Sequence, residues 1–230
     1  MKEAAYAQGW LRSLGVGGAY DADAAINERG QVAGYSEMES GVSGDGFLWE
    51  AGATTDLGAL DVEDSGVAIN DNGQVAGSSK TEDKDKYGLS VSRAFLWEDG
   101  KMRDLGTLGG DYSRAYAVNN HGQVVGQSST KTAADHAFLW EDGTMTDLGT
   151  LGSWSKAVAI NERGQIVGKS MVKSDVWHAF VWVSGTMTDL GTLPGGKESE
   201  PLAINDRGQI LGWSETKSGV DHAVLWALRP

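Results

Sequence analysis

The chain has 230 residues, with 19 Lys and Arg against 32 Asp and Glu, a net charge of −13 and no cysteine. The acid excess argues against nucleic acid as a partner, since binding it needs a basic footprint. The absence of thiols removes disulfides and thiolate chemistry. No apolar run is long enough to cross a membrane as a helix, and the length suits a single all-β domain over residues 1–230.

The N-terminus reads MKEAAYAQGW. Ala5-Tyr6-Ala7 has the A-x-A form that ends a signal peptide, but the hydrophobic stretch that should precede it is not in this chain. From Gly9 onward the sequence repeats. The phrase A-[IV]-N-x-x-G-Q-[VI]-x-G starts at Ala25, Ala68, Ala117, Ala159 and Ala203. The phrase [FV]-[LV]-W starts at Phe47, Phe95, Phe138, Phe180 and Val224. Asparagines 27, 70, 119, 161 and 205 stand 43, 49, 42 and 44 residues apart. A fixed period of about 40–45 residues marks a repeat architecture.

The third repeat, from Ala115, predicts four strands. The first is short and ends at Ala117-Val118-Asn119. Asn119-Asn120-His121-Gly122 reads as a type I turn. QVVGQSS is the second strand, HAFLWE the third and TMTDLGT the fourth, with a tight hairpin at Glu141-Asp142-Gly143. No apolar spacing of three and four persists, so no helix is expected. Four antiparallel strands per repeat are the content of a β-propeller blade. The expected fold is therefore an all-β, five-bladed β-propeller of four-stranded antiparallel blades. The blades span Ala22–Gly58, Ser65–Gly106, Arg114–Gly149, Lys156–Gly191 and Glu200–Ala227. The fifth stops at its third strand, while Gly9–Gly15 aligns with the fourth-strand phrase Gly100–Gly106. The N-terminal strand is therefore expected to complete the last blade, covering its edge.

These phrases resemble the HAF repeat family of extracellular bacterial repeats, named for His-Ala-Phe. The match is His136-Ala137-Phe138 and His178-Ala179-Phe180, with AIN, GQVVG and DLGTLGG around them. Gly46-Phe47, Arg93-Ala94-Phe95 and His222-Ala223-Val224 depart from it. The resemblance implies a secreted or surface-associated protein and carries no reaction.

Most repeated residues read as structural. Gly34, Gly77, Gly126, Gly168 and Gly212 lie within second strands, where a neighbouring group approaches closely; Trp49, Trp97, Trp140, Trp182 and Trp226 are expected to cover them as core. Asp56, Asp104, Asp147 and Asp189 should accept N–H bonds from the glycine turn that follows each. Gln31, Gln74, Gln123, Gln165 and Gln209 should bond backbone between strands. Ser78–Arg93 is the longest insertion, expected as a solvated excursion.

The repeats disagree in their other connections, which strand alternation puts on one face. A rigid scaffold with one variable loop face is a common binding surface. At one register the interblade loops carry Tyr20, Glu63, Tyr112, Trp154 and Glu198; two residues on come Ala22, Ser65, Arg114, Lys156 and Glu200. The ligand-binding candidates are Tyr20, Tyr112, Arg114, Trp154, Lys156 and Trp177, aromatic surfaces beside polar groups as sugar or peptide recognition requires. Asp21, Asp23 and Glu200 form a candidate site for Ca²⁺ through oxygen ligands. No catalytic residue stands out. The histidines His136, His178 and His222 fall in separate blades, and no nucleophile motif appears. The expectation is a monomeric ligand-binding propeller taking carbohydrate, or an extracellular protein or peptide, with no membrane insertion. The alternatives are a structural or protein-interaction scaffold and, third, a glycosidase-like enzyme.

Overall fold

The computed structural model describes residues 24–36, 45–59, 67–84, 88 and 90–228. Nineteen strands form five antiparallel sheets, with no helix among the described residues. The first sheet is β1 (Ala24–Ile26), β2 (Val32–Ser36), β3 (Asp45–Glu50) and β4 (Ala53–Ala59). The second is β5 (Ala68–Ile69), β6 (Val75–Lys84), β7 (Ser90–Glu98) and β8 (Lys101–Asp104). The third is β9 (Gly109–Val118), β10 (Val124–Thr130), β11 (Asp135–Glu141) and β12 (Thr144–Asp147). The fourth is β13 (Ser155–Ile160), β14 (Ile166–Lys173), β15 (Val176–Val183) and β16 (Thr186–Asp189). The fifth has three strands, β17 (Ser199–Ile204), β18 (Gln209–Glu215) and β19 (Asp221–Ala227). Strand order follows chain order in every sheet, so each repeat is a meander built from local hairpins.

The alternation in HAFLWE decides how the sheets stack, because successive strand residues point to opposite faces. Ala137 and Leu139 join Val125 and Leu148 on the face that meets Ala157, Ile166 and Phe180 of the fourth sheet. Phe138 and Trp140 join Ala115 and Val124 on the opposite face, against Ala76, Ala94, Leu96 and Leu105 of the second. The same arrangement joins sheets one to two and four to five. Each interface thus presses small and branched residues of one repeat onto the aromatic residues of the next. Phe95, Phe138 and Phe180 are the largest fully buried side chains. Trp140 is buried too, while Trp49, Trp97, Trp182 and Trp226 are half-buried.

Two sets of polar ties accompany this packing. At the end carrying the variable connections, a serine reaches back one sheet. Ser113, Ser155 and Ser199 accept the N–H of Ala94, Ala137 and Ala179 at 2.9, 2.8 and 2.9 Å. Each also donates to a glycine carbonyl of the preceding DLG phrase. At the opposite end the asparagine of A-[IV]-N uses its whole side chain. Oδ1 of Asn119 accepts N–H bonds from His121 and Gln123, both at 3.1 Å. Its Nδ2 donates to Gln123 Oε1 at 2.6 Å and to the Asn161 carbonyl of the next repeat at 3.1 Å. The link recurs from Asn27 to Asn70, Asn70 to Asn119 and Asn161 to Asn205, at 2.8, 2.8 and 2.9 Å. The turn glycine closes the motif. Gly122 has φ +74, and a Cβ there would meet Gln74 of the preceding repeat at 3.3 Å.

Three expectations change. The described glutamine side chains meet other side chains where backbone was expected: Gln74 and Gln123 each accept from the neighbouring asparagine and donate to Glu98 and Glu141. The strand glycines are crowded mainly by phenylalanine and backbone. A Cβ at Gly126 would meet the Arg114 carbonyl and, at 2.9 Å, the Phe138 ring; one at Gly212 would meet Trp226 at 2.7 Å. Much of the 78–93 insertion is ordered as an extension of the β6–β7 hairpin, with Lys84 paired to Ser90. The DLG aspartates behave as expected, accepting the N–H of Gly58, Gly106, Gly149 and Gly191 at 2.7 Å. Asp142 and Gly143 both have positive φ, 50 and 84, as a tight hairpin requires. The N-terminal strand at Gly9–Gly15 lies outside the described residues.

Asn119→Ala leaves two turn N–H groups and the Asn161 carbonyl without their partner and should cost about 3 kcal/mol, read from denaturant midpoints. Gly126→Ala should cost about 1–3 kcal/mol through overpacking; an unchanged midpoint would contradict the close approach of Arg114 and Phe138.

Candidate functional site

The register of the first strands brings the sequence-selected residues to one level. Arg114 pairs with Gln127, Lys156 with Lys169 and Glu200 with Trp213. Arg114, Lys156 and Glu200 are therefore equivalent positions on β9, β13 and β17. The expected loop placement is corrected for two of the aromatics. Tyr112 lies on β9 and Trp177 on β15, both half-buried. Trp154 alone of the candidate aromatics described stands on a loop, 41% exposed, just ahead of β13. Its backbone carbonyl is held by the N–H of Met171 and the hydroxyl of Ser170, both at 2.8 Å. A fixed main chain under an exposed ring is a rigid platform. Tyr20, Asp21 and Asp23 lie outside the described residues.

Cations here lie over aromatic faces. Arg114 sits 5.5 Å from the Tyr112 ring centre, Lys156 5.4 Å from Tyr116 and Lys169 5.4 Å from Trp177. Distances under about 6 Å are in the range of attraction by the ring quadrupole. Lys169 also forms a 2.8 Å ion pair with Glu200, each side chain about one-fifth exposed, joining the fourth sheet to the fifth. This pair bears on the candidate Ca²⁺ site. A cation on Glu200 would have to displace an ammonium group already in contact with the carboxylate. Among the described residues no group of three acidic or histidine side chains is arranged to hold a metal.

Asp135 is the buried acid of the site. It accepts a 2.9 Å bond from Gln127 and a hydrogen bond from Tyr112. Burial first, then the hydrogen bond and the negative charge of Asp135, push the Tyr112 phenol above the usual tyrosine range; Arg114 opposes them. The phenol is therefore a hydrogen-bond donor at neutral pH and supplies no base.

Lys169, Tyr116, Gln127 and Asp135 were not among the residues selected from sequence. A signal for Lys169 and Gln127 existed. The residue after each strand glycine reads Tyr35, Ser78, Gln127, Lys169 and Trp213, a position as divergent as the loops. The opposite end carries a shallow cavity of about 220 Å³ lined by Asn27, Asn70, Asn120, Glu28, Asp71 and Glu162. Two of its carboxylates accept backbone N–H bonds from neighbouring repeats, Asp71 from Glu28 N at 2.9 Å and Glu162 from Asn120 N at 3.1 Å. They serve the framework.

The family model for DUF3466, described as a protein of unknown function, matches residues 59–179, more than half of the chain. The chain belongs to the DUF3466 family. No curated protein sequence matches this DUF3466 chain. Solved structures similar to it include a puromycin-hydrolyzing peptidase of Mycobacterium tuberculosis, with a TM-score of 0.61 at 12% identity over 90% of this chain and 36% of that one. The β-propeller domain of the Trilobed protease from Pyrococcus furiosus, whose topology is an open velcro, gives 0.59 at 8% identity over 85% and 61%. TolB from Acinetobacter baumannii gives 0.57 at 10% identity over 88% and 53%. The chain thus spans between about a third and three-fifths of those structures. At such identities the likeness shows the fold alone, and the fold is that of a β-propeller.

The Tyr112 phenol should ionise above the ordinary tyrosine range when absorbance is followed through an alkaline titration. Asp135→Asn should bring its ionisation down, because one raising charge is removed while burial remains. No change on that substitution would contradict the Tyr112–Asp135 bond.

Proposed function

We propose that this DUF3466 chain is an exported or surface-associated binding module, a five-bladed propeller that takes carbohydrate through its variable end. The observation that carries the reading is Trp154, an exposed aromatic on an anchored loop beside Lys156. Sugar rings offer apolar faces that stack on such a platform and hydroxyls that polar neighbours can bind. Arg114 and Lys156 occupy equivalent positions in adjacent repeats. The HAF-like phrases support export.

Closure of the five blades belongs to the same proposal. Leu211 and Leu225 on the fifth sheet are 48% and 62% exposed. Their counterparts Val125 and Leu139, or Val167 and Val181, are buried under the next sheet. The first sheet carries the complementary set Val32, Phe47 and Trp49. Residues 9–15 supply the missing fourth-strand phrase, and the run from Ser13 to Ala24 is comparable in length to that from Asp189 to Ser199. A strand from residues 9–15 on β19 would draw the fifth sheet against the first.

Trp154→Ala should abolish binding to the glycans that the parent selects on an array and leave the melting temperature unchanged. Trp140→Ala should unfold the protein or lower its melting temperature sharply, because Trp140 is buried in an inter-sheet core. Normal glycan binding by Trp154→Ala moves the site elsewhere; an array without hits, with capture of a protein partner, favours the scaffold reading. Deleting residues 1–15 should lower stability or cause association through the uncovered edge; a monomer melting at the parent temperature refutes closure by that segment.

A further inference from the structure

His136, His178 and His222 occupy one position in three successive repeats, but their rings meet different groups. Nδ1 of His178 lies 3.1 and 2.8 Å from the two carboxylate oxygens of Asp189, and its Nε2 lies 3.1 Å from the Lys197 carbonyl oxygen. Nδ1 of His136 lies 3.0 and 2.9 Å from the oxygens of Asp147; among the described residues no carbonyl meets its Nε2. His222 is exposed and has neither partner among the described residues.

A carboxylate and a carbonyl only accept hydrogen bonds, so a ring nitrogen facing either must carry a hydrogen. Neutral imidazole has one N–H and imidazolium has two. His178 therefore makes both contacts only as the cation. We propose that His178 is a proton-dependent tie between the third strand of the fourth sheet and the loop entering the fifth, and that loss of its proton releases this loop. A neutral ring that keeps the Asp189 bond turns a lone pair toward the Lys197 carbonyl. A ring that keeps the carbonyl turns its lone pair toward the carboxylate. The tie exists only while both ring nitrogens carry a hydrogen.

The loop lies at the variable end. It holds itself by the 2.9 Å bond from Gly196 N to the Leu193 carbonyl and is anchored to the fifth sheet by Leu193 N on Ser214 Oγ and Lys197 N on Glu215, both 2.8 Å. His178 is its bond back to the fourth sheet through a side chain. The charged residues on the elements against β15 are Lys169 and Lys173 on β14, Asp189 on β16, Lys197 and Glu198 in the loop and Glu200 on β17. Lys169 and Glu200 are spent on one another, which leaves Asp189 as the carboxylate in contact with the ring. Release of the loop would loosen the approach to Glu200 and its ion pair, at the end that carries Trp154 and Lys156.

The test uses the whole chain without ligand, so its result is separate from the carbohydrate reading. Ring nitrogen resonances of the parent and amide exchange at Leu193, Gly196 and Lys197 are followed by NMR from about pH 5 to pH 8, with exchange corrected for its intrinsic pH dependence. The expected result is a doubly protonated His178 ring at the acid end and a several-fold fall in loop protection as pH rises. His178→Gln should remove that pH dependence and His136→Gln should leave it intact. A His178 ring that is neutral throughout, flat loop protection in the parent, or the same pH-dependent fall in His178→Gln would each overturn the proposal. Should His178→Gln fail to fold, the parent's ring and loop measurements decide.

Discussion

One side chain holds the repeats in register, the asparagine that ends each first strand. Its carboxamide has two acceptor sites and two donors, and at Asn119 all four are used. Two bonds shape the turn of its own repeat, one fixes the glutamine after the turn, and one reaches the backbone of the next repeat. A buried polar group with every partner present is far more specific than apolar contact, because a shift of one residue strands several of its atoms. Aspartate in its place would lack the donors and serine the reach. The turn glycine belongs to the same device, since the glutamine of the preceding repeat lies over it. The phrase N-x-x-G-Q is one unit spread over two repeats.

The other end of the sheets is held more economically in side chain. A serine hydroxyl takes one N–H and gives one bond to a carbonyl, and both partners are backbone groups of the previous repeat. Such a tie makes no demand on the side chains around it. The loops at that end can therefore differ in length and content from repeat to repeat while the sheets stay in place. The repeats then acquire pairings of their own, Tyr112 with Asp135 within the third sheet and Lys169 with Glu200 between the fourth and the fifth. The asymmetry between the two ends is thus a consequence of which polar ties the repeat uses.

What could be read from the amino acids follows the range of the interactions. Four strands per repeat, the hairpin at Asp142-Gly143 and the aspartate acceptor in DLG depend on neighbours within a few residues, and all were legible. The partner of Asn119 Nδ2 is a carbonyl 42 residues away, and backbone atoms leave no trace in residue identity. The crowding of Gly126 by Arg114 and Phe138 depends on a bulge in the β9–β10 pairing, where the register shifts between Val125 and Gly126. Lys169 stands on a strand and not in a loop, although its position diverges among the repeats as the loops do. Trp154 and Lys156 were legible as divergent residues at matched register, and that says where variation is tolerated more than what it binds.

The same comparison within one chain gives the histidines their meaning. His136 and His178 share the repeat phrase, the strand and the aspartate, so none of these can account for a difference between them. What differs is the connection that follows. Between Asp189 and Ser199 the chain takes two more residues than between Asp147 and Ser155, and the longer loop brings the Lys197 carbonyl onto the imidazole. A framework residue thereby gains a second acceptor without any change in its own sequence context. Loop length at the variable end therefore decides more than the shape of the surface. It also decides which repeated positions of the framework are drawn into contact with that surface, as the Lys197 carbonyl draws in His178.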